Sequence, residues 1–213
     1  MELHYLINPT MREFAARFFL PSIPACFEVI PHESGIATSG NFNQDNYTAV
    51  VTERTDAIQR ELEQRLDGSL MFWCDVDVEI YRDCAGELER LAEGKDLLFQ
   101  KESADPGNRI CSFGIQIIRR SLKNLIFYSR ISLLQRVSDN EHDQPWGNCL
   151  LGFDDAPTWD YLPFTYSAES NGGVRPDSVL YHANFSGLTD CIAQKSRQLE
   201  AARRVVDQSR SLV

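Results

Sequence analysis

Two aspartates one residue apart, Asp75 and Asp77, follow directly on the apolar run 70–74 in the stretch SLMFWCDVDVEIYRD. Extended backbone points alternate side chains the same way, so both carboxylates reach one hard cation and the oxygens it carries, while Val76 turns into apolar packing. A divalent ion held by one or two carboxylates keeps positions open for phosphate, as when a metal arrives with a nucleotide. The plain alternative is a solvated turn at a strand end, because turns are rich in Asp. The run ahead of the pair argues against it, since an uninterrupted apolar stretch marks a strand buried on both faces of a parallel sheet. In open α/β sheets ligands bind at the carboxyl ends of such strands.

The elements that must carry this pair alternate between strand and helix. Residues 3–7 (LHYLI) read as a strand stopped by Asn8-Pro9. Thr10 reads as the cap of a helix over 11–20, with Phe14, Phe18 and Phe19 at helical spacing, and 26–30 as a second strand. Such a β-α-β unit implies parallel strands. A polar loop over 31–45 leads to a helix over 47–66 with Val50, Val51, Ile58, Leu62 and Leu66 on one side, closed by Gly68. The strand ending in Asp75 is then the third parallel strand.

Beyond it, 79–83 leads into a helix at 85–92, a strand at 96–100, a turn at 105–108 and a strand-like run at 110–119 interrupted by Ser112 and Gly114. Gly inside a strand marks close approach of backbone or ligand. A helix over 122–136, with Leu125, Tyr128, Ile131 and Leu134 as its apolar positions, precedes a polar cluster at 140–148, in which Asp143 reads as a helix cap ahead of Pro145. Short strands or irregular chain at 159–166, an exposed loop at 170–176, a strand at 179–182 tipped by His182 and a charged amphipathic helix over 188–210, after Gly187, complete the chain.

With 213 residues, 43% hydrophobic and 24% charged, the chain can bury one substantial core as a single domain. A net charge of -10 disfavours sequence-independent nucleic-acid binding, which depends on Lys and Arg displacing counterions, and makes a polyphosphate hard to hold without a cation. No run approaches the ~18 apolar residues of a transmembrane helix. The start lacks the basic-then-apolar order of a secretory signal, so a cytoplasmic address is expected. Six scattered cysteines without a C-x-x-C pair read as reduced and mostly buried. Phosphate-loop and dinucleotide glycine motifs are absent, and His4, His32, His142 and His182 lack the spacing of a zinc motif.

Strand, helix, strand, long helix, FWCDVDVEIYRD, SFGIQIIRRS, a DQ pair and a late H-x-N follow one another in an order that resembles the nucleotide-diphospho-sugar transferases of GT-A fold. The resemblance covers about residues 3–195 and is nearest to the group containing plant xylosyl- and arabinosyltransferases, and more distant to galactosyltransferases of the glycogenin type. It implies an α/β fold: one GT-A-type domain with a mostly parallel central sheet, a Rossmann-like N-terminal half and a mixed C-terminal half. Residues 1–83 would form the nucleotide-binding half, 84–195 the sugar and acceptor half, and 196–213 a C-terminal helix.

The resemblance also implies roles. Asp75 and Asp77, with His182, would hold Mn2+ or Mg2+ against the donor diphosphate, Asp75 also counting among the nucleotide contacts with Asn8 and Thr10. Asp143 and Gln144 match the catalytic pair beside the reacting sugar carbon. Ser112 and Gly114 would touch the sugar, Ser112 standing where relatives commonly carry Asn. Lys195 could meet phosphate, but a solvated helix face is its ordinary place. Implied partners are a nucleoside diphosphate sugar, UDP-linked in the first instance, and a glycan, protein or small-molecule acceptor, with transfer under retention; no nucleic acid and no transmembrane segment are expected. An inverting route would need a carboxylate base, for which Asp154, Asp155 and Asp160 offer themselves without an assignment. Two other classes compete: a non-catalytic sugar-nucleotide-binding protein, and a haloacid-dehalogenase-like phosphatase, which also places D-x-D after a buried strand but near the domain start.

Overall fold

The computed structural model describes residues 1–39, 41, 44–138, 142–184 and 189–211. In chain order the elements are β1 (Glu2–Ile7), α1 (Arg12–Arg17), β2 (Glu28–Glu33), α2 (Tyr47–Gln64), β3 (Leu70–Cys74), β4 (Val78–Ile80), α3 (Ala85–Leu91), β5 (Leu97–Lys101), β6 (Cys111–Arg119), α4 (Leu122–Val137), α5 (Asp143–Leu150), β7 (Trp159–Tyr161), β8 (Tyr166–Ala168), β9 (Leu180–His182) and α6 (Cys191–Arg210). Six strands form one sheet in the order β2-β1-β3-β6-β5-β7, and β4, β9 and β8 form a second, smaller one. β1 is parallel to β2 and β3, β6 is antiparallel to β3 and β5, and β7 is parallel to β5. All strands of the large sheet but β6 therefore point one way.

The pleat of β3 explains why its sequence is apolar throughout. Phe72 and Cys74 enter one core with Ala15 and Phe19 beside α1, whereas Met71 and Trp73 enter the other with Ile58 and Leu62 of α2 and Phe127 and Ile131 of α4. Each large side chain buried in this way contributes about 1.5–3 kcal/mol. Val76 is buried in the first core, as alternation requires.

Several local expectations shift. Asn8 rather than Thr10 caps the turn after β1, accepting a bond from the Met11 amide at 2.9 Å, and the helix expected over 11–20 is a short α1 between two 3-10 turns. The Thr10 hydroxyl is engaged with Thr38 instead, donating to its carbonyl at 2.7 Å. β2 lies two residues later than expected and runs through Pro31, tolerated because this is an edge strand where a missing N–H faces no neighbour. Gly68 does not close α2: that cap is Arg65, and Gly68, at φ 79°, makes the turn into β3. Leu66 lies beyond the helix and is half exposed.

β4, expected only as a lead-in, is a strand because β9 pairs with it, a partnership no local pattern announces. Ser112 and Gly114 do not interrupt β6, whose register against β5 slips between Phe99 and Gln100. Asp143 is the first residue of α5 and not its cap, since His142 holds that position. Gly187 and the expected helix start at residue 188 lie outside the described residues, and α6 begins at Cys191. The six cysteines form no disulfide, and four of them are buried. Among the described residues no helix is long and apolar enough to cross a membrane.

Candidate functional site

The carboxyl ends of β3 and β9 and the start of β6 meet at one edge. The Asp75 amide donates to the Gly114 carbonyl at 2.7 Å, because reversed β6 brings its first residues to the edge where β3 ends. His182 stands opposite Val78 in the small sheet, and the Ala183 amide donates to the Asp77 carbonyl at 2.9 Å. Asp75, Asp77 and His182 thereby bring one ligand atom each to within 4.8 Å of one another. No Cβ could be accommodated at Gly114, since it would fall 2.3 Å from His182 Cε1 and 2.8 Å from Asp75 Oδ2.

The tautomer of His182 follows from its surroundings. Buried Gln100 donates through Nε2 to the carbonyls of Tyr166 and Ser167, both at 2.9 Å, which leaves its Oε1 to accept from His182 Nδ1 at 2.8 Å. Nδ1 therefore carries the hydrogen. In the neutral ring Nε2 then offers a lone pair 3.3 Å from an Asp77 oxygen, two acceptors face to face that only a cation or a proton between them reconciles. Fixing one ring nitrogen by a hydrogen bond and aiming the other is how proteins orient a metal-binding histidine. The donor set fits a divalent cation.

Protein cations already attend the carboxylates. Lys195 of α6 pairs with Asp77, so it lies in the site and not on a solvated face. Arg54 of α2, almost fully buried, reaches Asp75 at 2.7 Å through one guanidinium nitrogen and Asp143 at 2.7 Å through another. Burial opposes charge on Asp77, but Lys195 and His182 outweigh it and hold the carboxyl well below the usual range. Asp143 follows the same pattern, burial opposed by Arg54 and His142, and ends lowered. For Asp75 burial raises the carboxyl, Arg54 pulls it back and the Asp77 charge adds to the rise.

A cavity of about 300 Å³ opens over these groups, and Ser112, Gly114, Glu102, Asp143, Gln144, His182 and Asn184 contribute to its wall. A second cleft of about 150 Å³, reaching Asn8 and Thr38, shares Tyr47, Arg54, Asp75, Asp77 and Lys195 with the first. Of the residues singled out in the sequence, Asp75, Asp77, Ser112, Gly114, Asp143, Gln144 and His182 thus line one cavity and Asn8 the adjoining cleft. Thr10 lines neither but is hydrogen-bonded to Thr38, which lines the cleft. Asp155 and Asp160 are tied to Arg130 and Lys95, and neither they nor Asp154 line either space.

Arg54 and Glu102 were not anticipated. Arg54 carried a signal, because it falls on the same helical stripe as Val51, Ile58 and Leu62, where a charge demands a partner. Glu102 carried none, following β5 in an exposed-looking hairpin sequence. Burial raises its carboxyl, against the pull of His182 and hydrogen bonds from Ser112 and Gln144. Gln144 is oriented by the Phe113 amide, which donates to its Oε1 at 3.3 Å.

This architecture, one α/β domain with a mixed central sheet, matches that of GT-A glycosyltransferase structures. A glycosyltransferase involved in glycosylating the major capsid of PBCV-1 superposes with a TM-score of 0.64 at 13% identity, covering 93% of this chain and 98% of that one. The galactosyltransferase LgtC, solved with donor and acceptor sugar analogues, gives 0.55 at 12% identity over 94% of this chain and 96% of its own. Mouse xyloside xylosyltransferase 1 gives 0.52 at 12% identity over 86% and 84%. No protein-family model and no curated protein sequence matches the chain significantly.

Proposed function

We propose that this protein is a metal-dependent glycosyltransferase that moves a sugar from a nucleoside diphosphate, UDP in the first instance, to an acceptor hydroxyl. One observation carries the proposal: Gln100 fixes His182 Nδ1 and so aims Nε2 at Asp77, beside Asp75, in a cavity large enough for a sugar. Similarity of fold to glycosyltransferases supports the same reading and weighs against the phosphatase alternative.

Asp75, Asp77 and His182 would hold Mn2+ or Mg2+, which when bound supplies Lewis-acid stabilisation to the departing diphosphate. The chain's own residues do the rest. Lys195, released from Asp77 as the ligand arrives, offers its ammonium to phosphate, and Asn8 faces the cleft where base and ribose would lie. Arg54 holds Asp75 and Asp143 in one frame, so the donor's phosphate end and its sugar end are positioned by a single buried group. Asp143 and Gln144 then face the sugar, with Ser112 and Gly114 forming the floor. Retention, implied by the family resemblance, belongs to this proposal, as do the two functional halves and a cytoplasmic address. An inverting outcome would turn attention to Glu102, the groove carboxylate for which no ion pair with Lys or Arg is seen among the described residues.

Thermal unfolding with UDP, GDP, ADP and CMP, each with Mn2+ and with chelator, tests the donor site. A ligand at about a hundred times its dissociation constant adds roughly 2.7 kcal/mol, a shift of a few degrees. The expected result is a rise with one diphosphate that vanishes with chelator and in Asp77→Ala. No shift with any nucleotide would sink the proposal. Release of nucleotide from the sugar then separates an enzyme from a pure binder, and the anomer of the product reports stereochemistry.

A further inference from the structure

A second cluster lies under α2, outside both clefts of the candidate site. His4 on β1, His32 on the edge strand β2 and Glu61 on α2 each bring a ligand atom to within 4.8 Å of the others. His4 is fully buried and His32 half-buried, and the Trp73 ring lies against both, centroids 6.1 and 5.2 Å away. Glu2 accepts from His4 Nε2 at 3.1 Å and is itself gripped by Arg120 and Arg65. Nε2 of His4 therefore carries a hydrogen, Nδ1 is a lone pair, and His32 Nε2, 3.1 Å away, donates to it.

We propose that His4 Nδ1, His32 Nε2 and a Glu61 carboxylate oxygen form a second metal site, for a borderline-soft divalent cation of the zinc class, with water as fourth ligand. Two nitrogens bound tetrahedrally to zinc stand about 3.3 Å apart, close to the separation already present. The first ligand is oriented in advance: a carboxylate on the far ring nitrogen, itself held by an arginine, is the outer-shell arrangement that metal-binding histidines use. The two rings are 21° from coplanar with centroids 5.4 Å apart, the geometry of an in-line hydrogen bond. Coordination asks one ring to turn. His32 is the ring that turns, because it sits on the edge strand while Glu2 locks His4.

Binding needs no net loss of a proton from the ring pair, since the hydrogen on His32 Nε2 moves through solvent to Nδ1 as the lone pair is taken up. Glu61 leaves a long, 3.8 Å ion pair with Arg120 to join the metal. Imidazole ligands favour zinc, cobalt or nickel over Mg2+, which prefers the carboxylate-rich donor site. A cation here would staple β2 to α2, the two elements that flank the segment 34–46, whose Thr38 lines the donor cleft.

The test uses the full chain carrying Asp77→Asn, stripped with chelator and titrated with Co2+ without nucleotide, so that it is independent of the proposed donor site. One equivalent is expected to bind with the visible absorption of four-coordinate Co2+, displaced by Zn2+ and not by Mg2+. Adding His32→Gln should remove the band, and Glu2→Gln should weaken binding roughly 10–100-fold. On the unsubstituted chain, Zn2+ is expected to move the His32 hydrogen from Nε2 to Nδ1 in imidazole NMR spectra, which needs no variant to fold. No Co2+ uptake, uptake indifferent to His32→Gln, or unchanged imidazole signals would each overturn the proposal.

Discussion

At the scale of single residues, Arg54 and Gly114 decide the site. Arg54 neutralises two carboxylates from different elements, and Asp143 is 2% exposed, so deleting the guanidinium leaves a buried charge with only His142 beside it. Arg54→Ala is expected to cost about 3–5 kcal/mol in urea unfolding. The double change Arg54→Met with Asp143→Leu should recover most of that stability without restoring the proposed transfer activity, because the cost lies in the orphaned Asp143 charge and the proposed activity in the frame. Gly114→Ala tests something different. Its Cβ would strike His182 and Asp75, two of the three proposed cation ligands, so the nucleotide shift expected with Mn2+ should vanish while the protein stays folded.

Elements matter most along β1 and β2, where the chain stores a dependence on pH. Burial, reinforced by His4, pushes His32 down to about 4, and burial likewise lowers His4. Glu2 is lowered to about 2, burial opposing and Arg120, His4 and Arg65 prevailing. An imidazole that is neutral when folded and protonated when unfolded stabilises the fold above its unfolded value near 6.5, and that contribution is lost as pH falls toward 4. The lowered Glu2 contributes above about 4.5 and is lost toward about 2. Urea unfolding at a series of pH values, in chelator, should show stability falling in both windows, with His32→Gln flattening the upper one and Glu2→Gln the lower. A curve that is flat between pH 6.5 and 4 in the natural chain would contradict the neutral, buried pair.

For the molecule as a whole, α6 closes the structure. Its Leu199 and Ala202 pack with Phe14 and Phe18 near the start of the chain and with Tyr181 in the small sheet, while Arg203 pairs with Glu79 and Lys195 with Asp77. Helix and site are thus coupled through packing. Leu199 is fully buried, and Leu199→Ala is expected to cost about 2–5 kcal/mol. Under conditions where that variant is still folded, calorimetry should show weaker nucleotide binding as well, because a loosened α6 no longer delivers Lys195. Unchanged affinity would mean that Lys195 is placed by its ion pair alone.

Sequence alone determined the alternation of the first three strands with their helices, the buried strand over 70–74, and the meeting of Asp75 and Asp77 at its end. These follow from periodicity and from a side-chain alternation local to a few residues. The strand character of 179–182 and the closeness signalled by Gly114 were legible in the same way. Tertiary structure decided the rest. β4 exists because β9 pairs with it, Lys195 leaves solvent because α6 docks over Asp77, and Glu102 enters the groove because reversed β6 brings Ser112 to it and α5 brings Gln144. His4, His32 and Glu61 come from three elements, so no spacing could reveal them. Contacts between residues far apart in sequence depend on how layers stack, and only the folded chain specifies that.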